Sequence, residues 1–278
     1  MVLRPRKNKV EPRFLFHILT APNMLAEMQH LAETRSGTFP QITFLSELAP
    51  TTVMLPDLET QKKIVSVFDV IERKIDLNNA INDNLEQQAQ ALFDENFPNI
   101  SNGANTVGDY IVPKRGKGLL SKNAIFGDVP VVAGGLEPST YHNVANTQAP
   151  VIAISASGAN AGYVSLWSIP IWSSDSSYID SSMTDDVFFW YVFLKKRQQE
   201  IFDAQTGSAQ PHIYPQHIAA MPIYEVNQKD ITNYTEQVTP MFKLIGYNKE
   251  EIQRLIQLRD TLLPKLMSGE LDVSTIEL

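Results

Sequence analysis

The stretch LETQKKIVSVFDVIERKIDLNNAINDNLEQQAQALFDENF, residues 58–97, contains no glycine and lies between Pro56 and Pro98. Counted in alternating steps of four and three it reads Ile64, Phe68, Ile71, Ile75, Asn78, Asn82, Leu85, Ala89 and Leu92. Apolar residues at both core positions of a heptad predict one long amphipathic helix. At a rise of 1.5 Å per residue it spans about 60 Å, the length of a spacer or a dimerising rod. Asn78 and Asn82 interrupt the middle of the seam. A polar core residue weakens packing but fixes register and partner, so this helix expects a specific companion.

The companion lies near the other end of the chain. Tyr234, Val238, Met241, Ile245, Asn248, Ile252, Leu255, Arg259, Leu262 and Leu266 follow the same count. Pro240 is expected to start or kink this second helix, and Pro264 and Gly269 to mark its end. A shift of 170 residues brings Asn78 onto Asn248 and Leu85 onto Leu255. The segments ahead of the two helices also match: SGTFPQI, residues 36–42, resembles GSAQPHI, residues 207–213. Apolar helical runs precede both (14–31 and 187–202), and an apolar-proline step follows each. The chain therefore carries an internal repeat, complete in its second copy and truncated at the front of its first.

With 278 residues and a 43% hydrophobic content, the chain is long enough for one or two domains with a real core. No apolar run approaches the roughly 18 residues of a membrane span, and the basic N-terminus lacks the apolar stretch of a secretory signal. The absence of cysteine excludes disulfides, thiolate metal sites and cysteine nucleophiles, and it fits a cytoplasmic protein. The net charge of −8 argues against a general nucleic-acid coat protein. The charge is patterned, however. Residues 57–95 carry nine acids and four bases, the first thirteen residues five bases and one acid, and Gly108–Lys122 four bases and one acid.

Between the long helices the sequence reads as strands followed by helix, an α+β domain rather than a regular α/β alternation. Strand-like runs fall at 110–112, 129–132, 151–154, 162–166 and 169–172, and a helix is predicted over 185–202. Ahead of the first long helix, residues 12–31 read as a helix broken at Pro22, and residues 43–55 as an extended apolar segment with a turn near Ala49-Pro50. The basic arm, with Arg4, Arg6, Lys7, Lys9 and Arg13, reads as solvated; its other reading is a phosphate-contacting arm.

No catalytic constellation is present. There is no phosphate-binding G-x-x-x-x-G-K-[ST] loop and no G-x-G-x-x-G turn, and the Ser155-Ala156-Ser157-Gly158 run lacks the leading glycine of a nucleophile elbow. The five histidines, His17, His30, His142, His212 and His217, show no metal-ligand spacing. Asp175, Asp180, Asp185 and Asp186 read as caps and solvated charge in a serine-rich loop and at a helix start. What remains suits a binding surface. Lys114, Arg115 and Lys117, with Gly116 and Gly118, form a basic loop whose glycines let backbone N–H groups approach phosphate oxygens; Ser121 and Lys122 continue it. Ser155, Ser157, Asn160 and Tyr163 lie in a loop of small hydrogen-bonding residues, and Thr206, Ser208, Gln210 and His212 in another of the same kind, fitted to base edges and phosphates. Taken singly, each also reads as an ordinary solvated turn.

The tail LRDTLLPKLMSGEL, residues 258–271, resembles the end of a specificity subunit of a Type I restriction-modification system. So do the TGSAQP run at 206–211, the Leu55-Pro56 step into Gln61-Lys62-Lys63-Ile64, and ISASGANAGYVSLWSIPIW at 154–172, which is similar to the middle of that family's target recognition domains. The resemblance implies a mixed recognition domain plus two long helices packed as an antiparallel coiled coil, with Asn78, Asn82 and Asn248 at the helix pairing. It implies the C-terminal part of a first recognition domain at 1–56, the spacer helix at 57–97, a complete recognition domain at 98–232, and the second helix and tail at 233–278.

For function it implies a non-catalytic, sequence-specific DNA-recognition subunit that positions methyltransferase and restriction subunits on a bipartite target. S-adenosylmethionine, ATP and magnesium are then expected only on partner subunits, no metal is expected here, and self-association is expected to supply a second reader. A coiled-coil adaptor that assembles methyltransferase subunits without reading DNA is the alternative.

Overall fold

A computed structural model describes residues 3–6, 8–34, 41–207, 210–267, 270–271 and 273. In chain order the elements are α1 (Pro12–Thr20), α2 (Pro22–Thr34), a π-helical turn (Phe44–Leu48), α3 (Leu58–Asn96), β1 (Asn105–Thr106), β2 (Lys114–Arg115), β3 (Val129–Val132), β4 (Thr140–His142), β5 (Val151–Ser155), β6 (Val164–Trp167), β7 (Trp172–Ser173), β8 (Ser176–Asp180), α4 (Val187–Lys196), α5 (Gln198–Asp203), α6 (Pro215–Ala219), β9 (Pro222–Ile223) and α7 (Gln228–Met267). They form two compact units, one of Met1–Ala80 with Asn248–Leu278, the other of Ile81–Tyr247. Among the described residues no helix is long and apolar enough to cross a membrane.

The first unit is helical. Pro12 opens α1, the Glu11 carboxylate caps it by accepting the Phe14 N–H at 2.7 Å, and the chain breaks at Ala21 before Pro22 starts α2. Phe14, Ile18, Met24 and Met28 pack with Ile64, Phe68 and Ile71 of α3 and with Leu263 and Leu266 of α7. The fully buried Gln61 anchors the segment before α1. Its side chain accepts the Glu11 N–H and donates to the carbonyls of Lys9 and Pro56, which offsets the desolvation of a buried amide. Residues 44–48, expected to be extended, instead form the π-helical turn, closed by Ala49 N–H to Phe44 carbonyl. The Glu47 side chain, 6% exposed, accepts the Thr43 N–H and hydroxyl and holds this turn.

Both heptad seams face inward: Ile64, Phe68, Ile71, Asn78, Asn82 and Ala89, and Tyr234, Val238, Ile245, Asn248, Ile252 and Leu266, are buried, and the other seam positions are partly buried. The helices run antiparallel. In the first unit Ile64 and Phe68 share a core with Leu263 and Leu266, and Asn78 meets Glu251; in the second the Tyr234 hydroxyl donates to the Ala89 carbonyl at 2.8 Å. Asn78, 1% exposed, pairs with Glu251 and not with Asn248: its amide donates to Glu251 Oε2 at 2.7 Å, and Lys74 Nζ lies 3.2 Å from the same oxygen. The Asn78 hydrogen bond, helped by Lys74, holds the Glu251 carboxyl below its usual range. Asn82 and Asn248 are also buried, at 7% and 8%.

Pro240 neither starts nor ends α7, and the helix continues through Pro264 to Met267. The burial of Val238, Phe242 and Ile245 on either side outweighs the one backbone hydrogen bond that Pro240 removes.

In the second unit, β2-β8-β5-β6 form an all-antiparallel sheet, β4-β3-β7 a mixed one, and β1 pairs with β9. All five residues of β5 are buried, consistent with a sheet covered on both faces; α4 lies against β5 and β6. Four expectations are corrected. Residues 110–112 are not a strand, the strand at 169–172 shrinks to Trp172–Ser173, and Arg197 separates the predicted helix into α4 and α5. The serine-rich segment is not a solvated loop: Ser176–Asp180 is β8, paired on both sides. Asp180 is 2% exposed and accepts from the Gln148 and Ser182 N–H groups. Near the middle of α7, a Cβ on Gly246 would lie 2.8 Å from Ser168 Cβ, so only glycine admits this close approach of the loop after β6.

Candidate nucleic-acid interface

The basic segment forms an edge of the second unit. Lys114 and Arg115 are β2, exposed, and paired with Tyr178 and Ser177 of β8. Beyond the strand, the Lys117 N–H donates to the Ser173 carbonyl, and its own carbonyl accepts the Trp172 indole N–H at 2.8 Å. Leu119 N–H donates to Ser174 Oγ. These bonds fix the backbone and leave the side chains of Lys114, Lys117 and Lys122 in solvent, with Ser121 and Lys122 on an exposed 3-10 turn, Ser121–Asn123. Gly116 packs against Ser173 with no room for a Cβ.

Two further loops close on this edge. Ser157 and His212 form an isolated antiparallel bridge, as do Thr206 and His212. Gly158 N–H donates to the Pro211 carbonyl at 3.1 Å, and Ile213 N–H to the Ala156 carbonyl at 3.0 Å. The joining residue is Asp175, which sequence reading left as solvated charge. One of its oxygens accepts from the Arg115 guanidinium at 2.5 Å and the other from the Ser157 hydroxyl. Burial pushes the Asp175 carboxyl up, but the hydrogen bonds from Ser157 and Arg115 and the nearby charges of Arg115 and His212 outweigh it and hold it below its usual range.

The remaining expected residues are spread more widely. Ser155 is 4% exposed at the end of β5 and its hydroxyl has no partner, so it supports the loop from beneath. Asn160 is half-buried and donates to the Gly134 carbonyl at 3.4 Å. The Tyr163 ring carries the Lys195 ammonium 4.6 Å from its centre. Between them Gly162, at φ 87°, makes a turn that L side chains rarely adopt. Thr206 and Gln210 are exposed and His212 is half-buried; Ser208 lies outside the described residues. Tyr214, absent from the sequence-based set, stacks on His212 with ring centres 6.0 Å apart and is 44% exposed. Its signal was an aromatic two residues from an expected contact.

Among the described residues one group, His17, Asp69 and Glu72, brings metal-ligating atoms within 4.8 Å of one another. The Arg13 guanidinium already bridges both carboxylates, at 2.6 and 2.8 Å, so the cationic position is occupied by the protein itself.

The chain is similar to known proteins in sequence and in fold. Residues 1–87 match the Type I restriction modification DNA specificity domain. The HindI specificity subunit of Haemophilus influenzae is 37% identical over 153 residues, which cover 53% of this chain and 33% of that protein. The MjaIX specificity subunit of Methanocaldococcus jannaschii is 33% identical over 99 residues, 35% of this chain and 23% of that protein. The chain thus aligns with a third or less of the length of these relatives. A crystal structure of the S subunit of a Type I restriction-modification system from M. genitalium superposes with a TM-score of 0.57 over 94% of this chain and 74% of that one, at 20% identity. In sequence over part of its length, and in fold, the chain is similar to specificity subunits of Type I restriction-modification systems.

Proposed function

We propose that the chain is a DNA-recognition subunit of a Type I restriction-modification complex and that the second unit reads DNA through the edge formed by β2, the 155–163 loop and the 206–212 loop. The observation that carries this reading is a set of exposed ammonium groups, Lys114, Lys117 and Lys122, that have no carboxylate partner among the described residues and sit beside loops of small polar groups. Unpaired cations grip phosphates and release counterions; neighbouring polar groups read base edges. In this reading the subunit performs no chemistry. It positions methyltransferase and restriction subunits in the cytoplasm, and S-adenosylmethionine, ATP and magnesium belong to those partners. With a net charge of −8, the chain binds DNA weakly alone and more tightly in the complex.

The test is a salt titration of duplex DNA binding by the complex carrying Lys114→Ala, Lys117→Ala and Lys122→Ala. Binding is expected to weaken for all sequences alike, and the slope of log K against log salt to fall by about 0.9 for each lysine that meets a phosphate. An unchanged slope would remove the lysines from the interface. The same reading includes self-association, supported by Phe16, Leu25, Leu45 and Met54 of the first unit, which are 56%, 52%, 80% and 83% exposed. Light scattering at tens of micromolar is expected to give a dimer; a monomer would reject it.

A further inference from the structure

Three cations, Lys114, Arg115 and Lys117, lie on or just after β2 and a fourth, Lys122, on the 3-10 turn that follows, and one is held differently from the rest. Lys114, Lys117 and Lys122 extend into solvent with no carboxylate beside them among the described residues. Arg115 instead leans on Asp175, Nη2 to Oδ1 at 2.5 Å. Asp175 is itself fixed: its other oxygen accepts the Ser157 hydroxyl, and its backbone carbonyl accepts the Ala156 N–H at 3.1 Å. Ser157 is bridged in turn to His212. A carboxylate in a DNA interface repels phosphate, so its placement at the one guanidinium has to serve something other than backbone affinity.

A guanidinium offers five N–H donors in a planar fork. When a carboxylate occupies one edge, the remaining donors are aimed in a fixed direction, and two of them match the O6 and N7 acceptors of guanine in the major groove. A flexible lysine has no such plane to orient. We propose that Arg115 reads a guanine in the target and that Asp175 is its positioning residue, while Lys114, Lys117 and Lys122 contact phosphates. This rests on the DNA-reading proposal above and adds a base and a division of labour to it.

The test is selection of bound duplexes from a randomised pool by the full chain in complex with its methyltransferase partner, with sequencing of the bound fraction. The wild type is expected to enrich a motif containing guanine. Arg115→Lys, which keeps the charge, is expected to lose preference at one guanine column by about 5- to 150-fold, the range of one bidentate base contact. Lys114→Ala is expected to weaken binding while leaving every column unchanged. Asp175→Asn is expected to move two readouts in opposite directions: affinity for random DNA rises because a negative charge is gone, and discrimination at the same column falls. A merely structural aspartate would lower both. An unaltered motif in Arg115→Lys, with an unaltered melting temperature, overturns the inference and leaves the DNA-reading proposal standing. A wild type that enriches no motif overturns both.

Discussion

The two units build the same contact from different residues. In the first, α1 lies on the N-terminal half of α3; in the second, α4 lies on the N-terminal half of α7. Phe14 and Ile18 match Phe189 and Phe193, and all four are fully buried. Beside them the units diverge. Arg13 pairs with Asp69 and Glu72, whereas at the corresponding place Phe188 stacks on Phe242 with ring centres 4.8 Å apart and planes 12° apart. Phe16 is 56% exposed, whereas its counterpart Tyr191 is 5% exposed, packs edge-on to Phe242 and donates to Glu86. Burial pushes the Tyr191 hydroxyl far up its range, so it stays a donor at any ordinary pH. Helix α4 has β5 and β6 against it, and no strand is described in the first unit. The long-helix seam dictates the shared face in both copies. What covers the rest of the short helix decides whether ions or aromatic rings sit beside it.

The largest effects should fall on the shared face. Phe14→Ala and Phe189→Ala are each expected to cost about 3–5 kcal/mol in urea unfolding, and a large disparity between them would mean that the copies are not equivalent. Next comes the divergent pair. Tyr191→Ala should cost about 3 kcal/mol, and Phe16→Ala no more than about 0.5 kcal/mol, by the same measurement. Transplanting the aromatic pair is gentler: Arg13→Phe with Glu72→Phe should gain about 0.5–1.5 kcal/mol relative to the sum of the single substitutions, because a stacked pair couples more strongly than a half-exposed ion pair.

The smallest effect is in pH. Burial lowers the His17 pKa below its ordinary 6.5, against the opposing pull of Glu72. A group whose folded pKa is depressed holds its stability above the unfolded value and loses it as pH falls. Hydrogen exchange in the first unit should therefore quicken as pH drops through about 6.5 after correction for intrinsic rates, and His17→Phe should abolish the step. The second unit, with Val192 in the matching place, should hold until the Asp175 carboxylate protonates below about 3.8.

The rods were legible because one period runs along the 39 residues of α3 and its positions are buried or partly buried. Pro240 does not start α7 because the loss of one backbone bond is a local cost, while the seam on both sides is a long-range gain. Strand β8 was hidden because its residues read as loop. Ser176 fits a buried strand because its hydroxyl donates to the Val132 carbonyl at 3.1 Å, 44 positions away, and pairs with the Ser173 hydroxyl at 2.8 Å. The basic edge was visible as a cluster of exposed cations. Asp175 was not, because its meaning comes from Arg115, 60 positions away, and Ser157, 18 positions away, a pairing that no local pattern encodes.

Gly246 has a consequence for positional tolerance. Glycine inside a helix costs roughly 1 kcal/mol relative to alanine, yet it stands near the middle of α7, where the loop carrying Ser168 closes to within van der Waals contact. The contact brings the loop after β6 directly against the helix. An added methyl would push that loop outward by tenths of an ångström, small against the 3.4 Å step between bases on a strand but not against the reach of a hydrogen bond. Under the proposed function, Gly246→Ala should therefore lower discrimination at the bases read by the second unit while leaving the fold intact, as bound-duplex selection and a melting temperature would show. Such precision rests on the absence of a single Cβ.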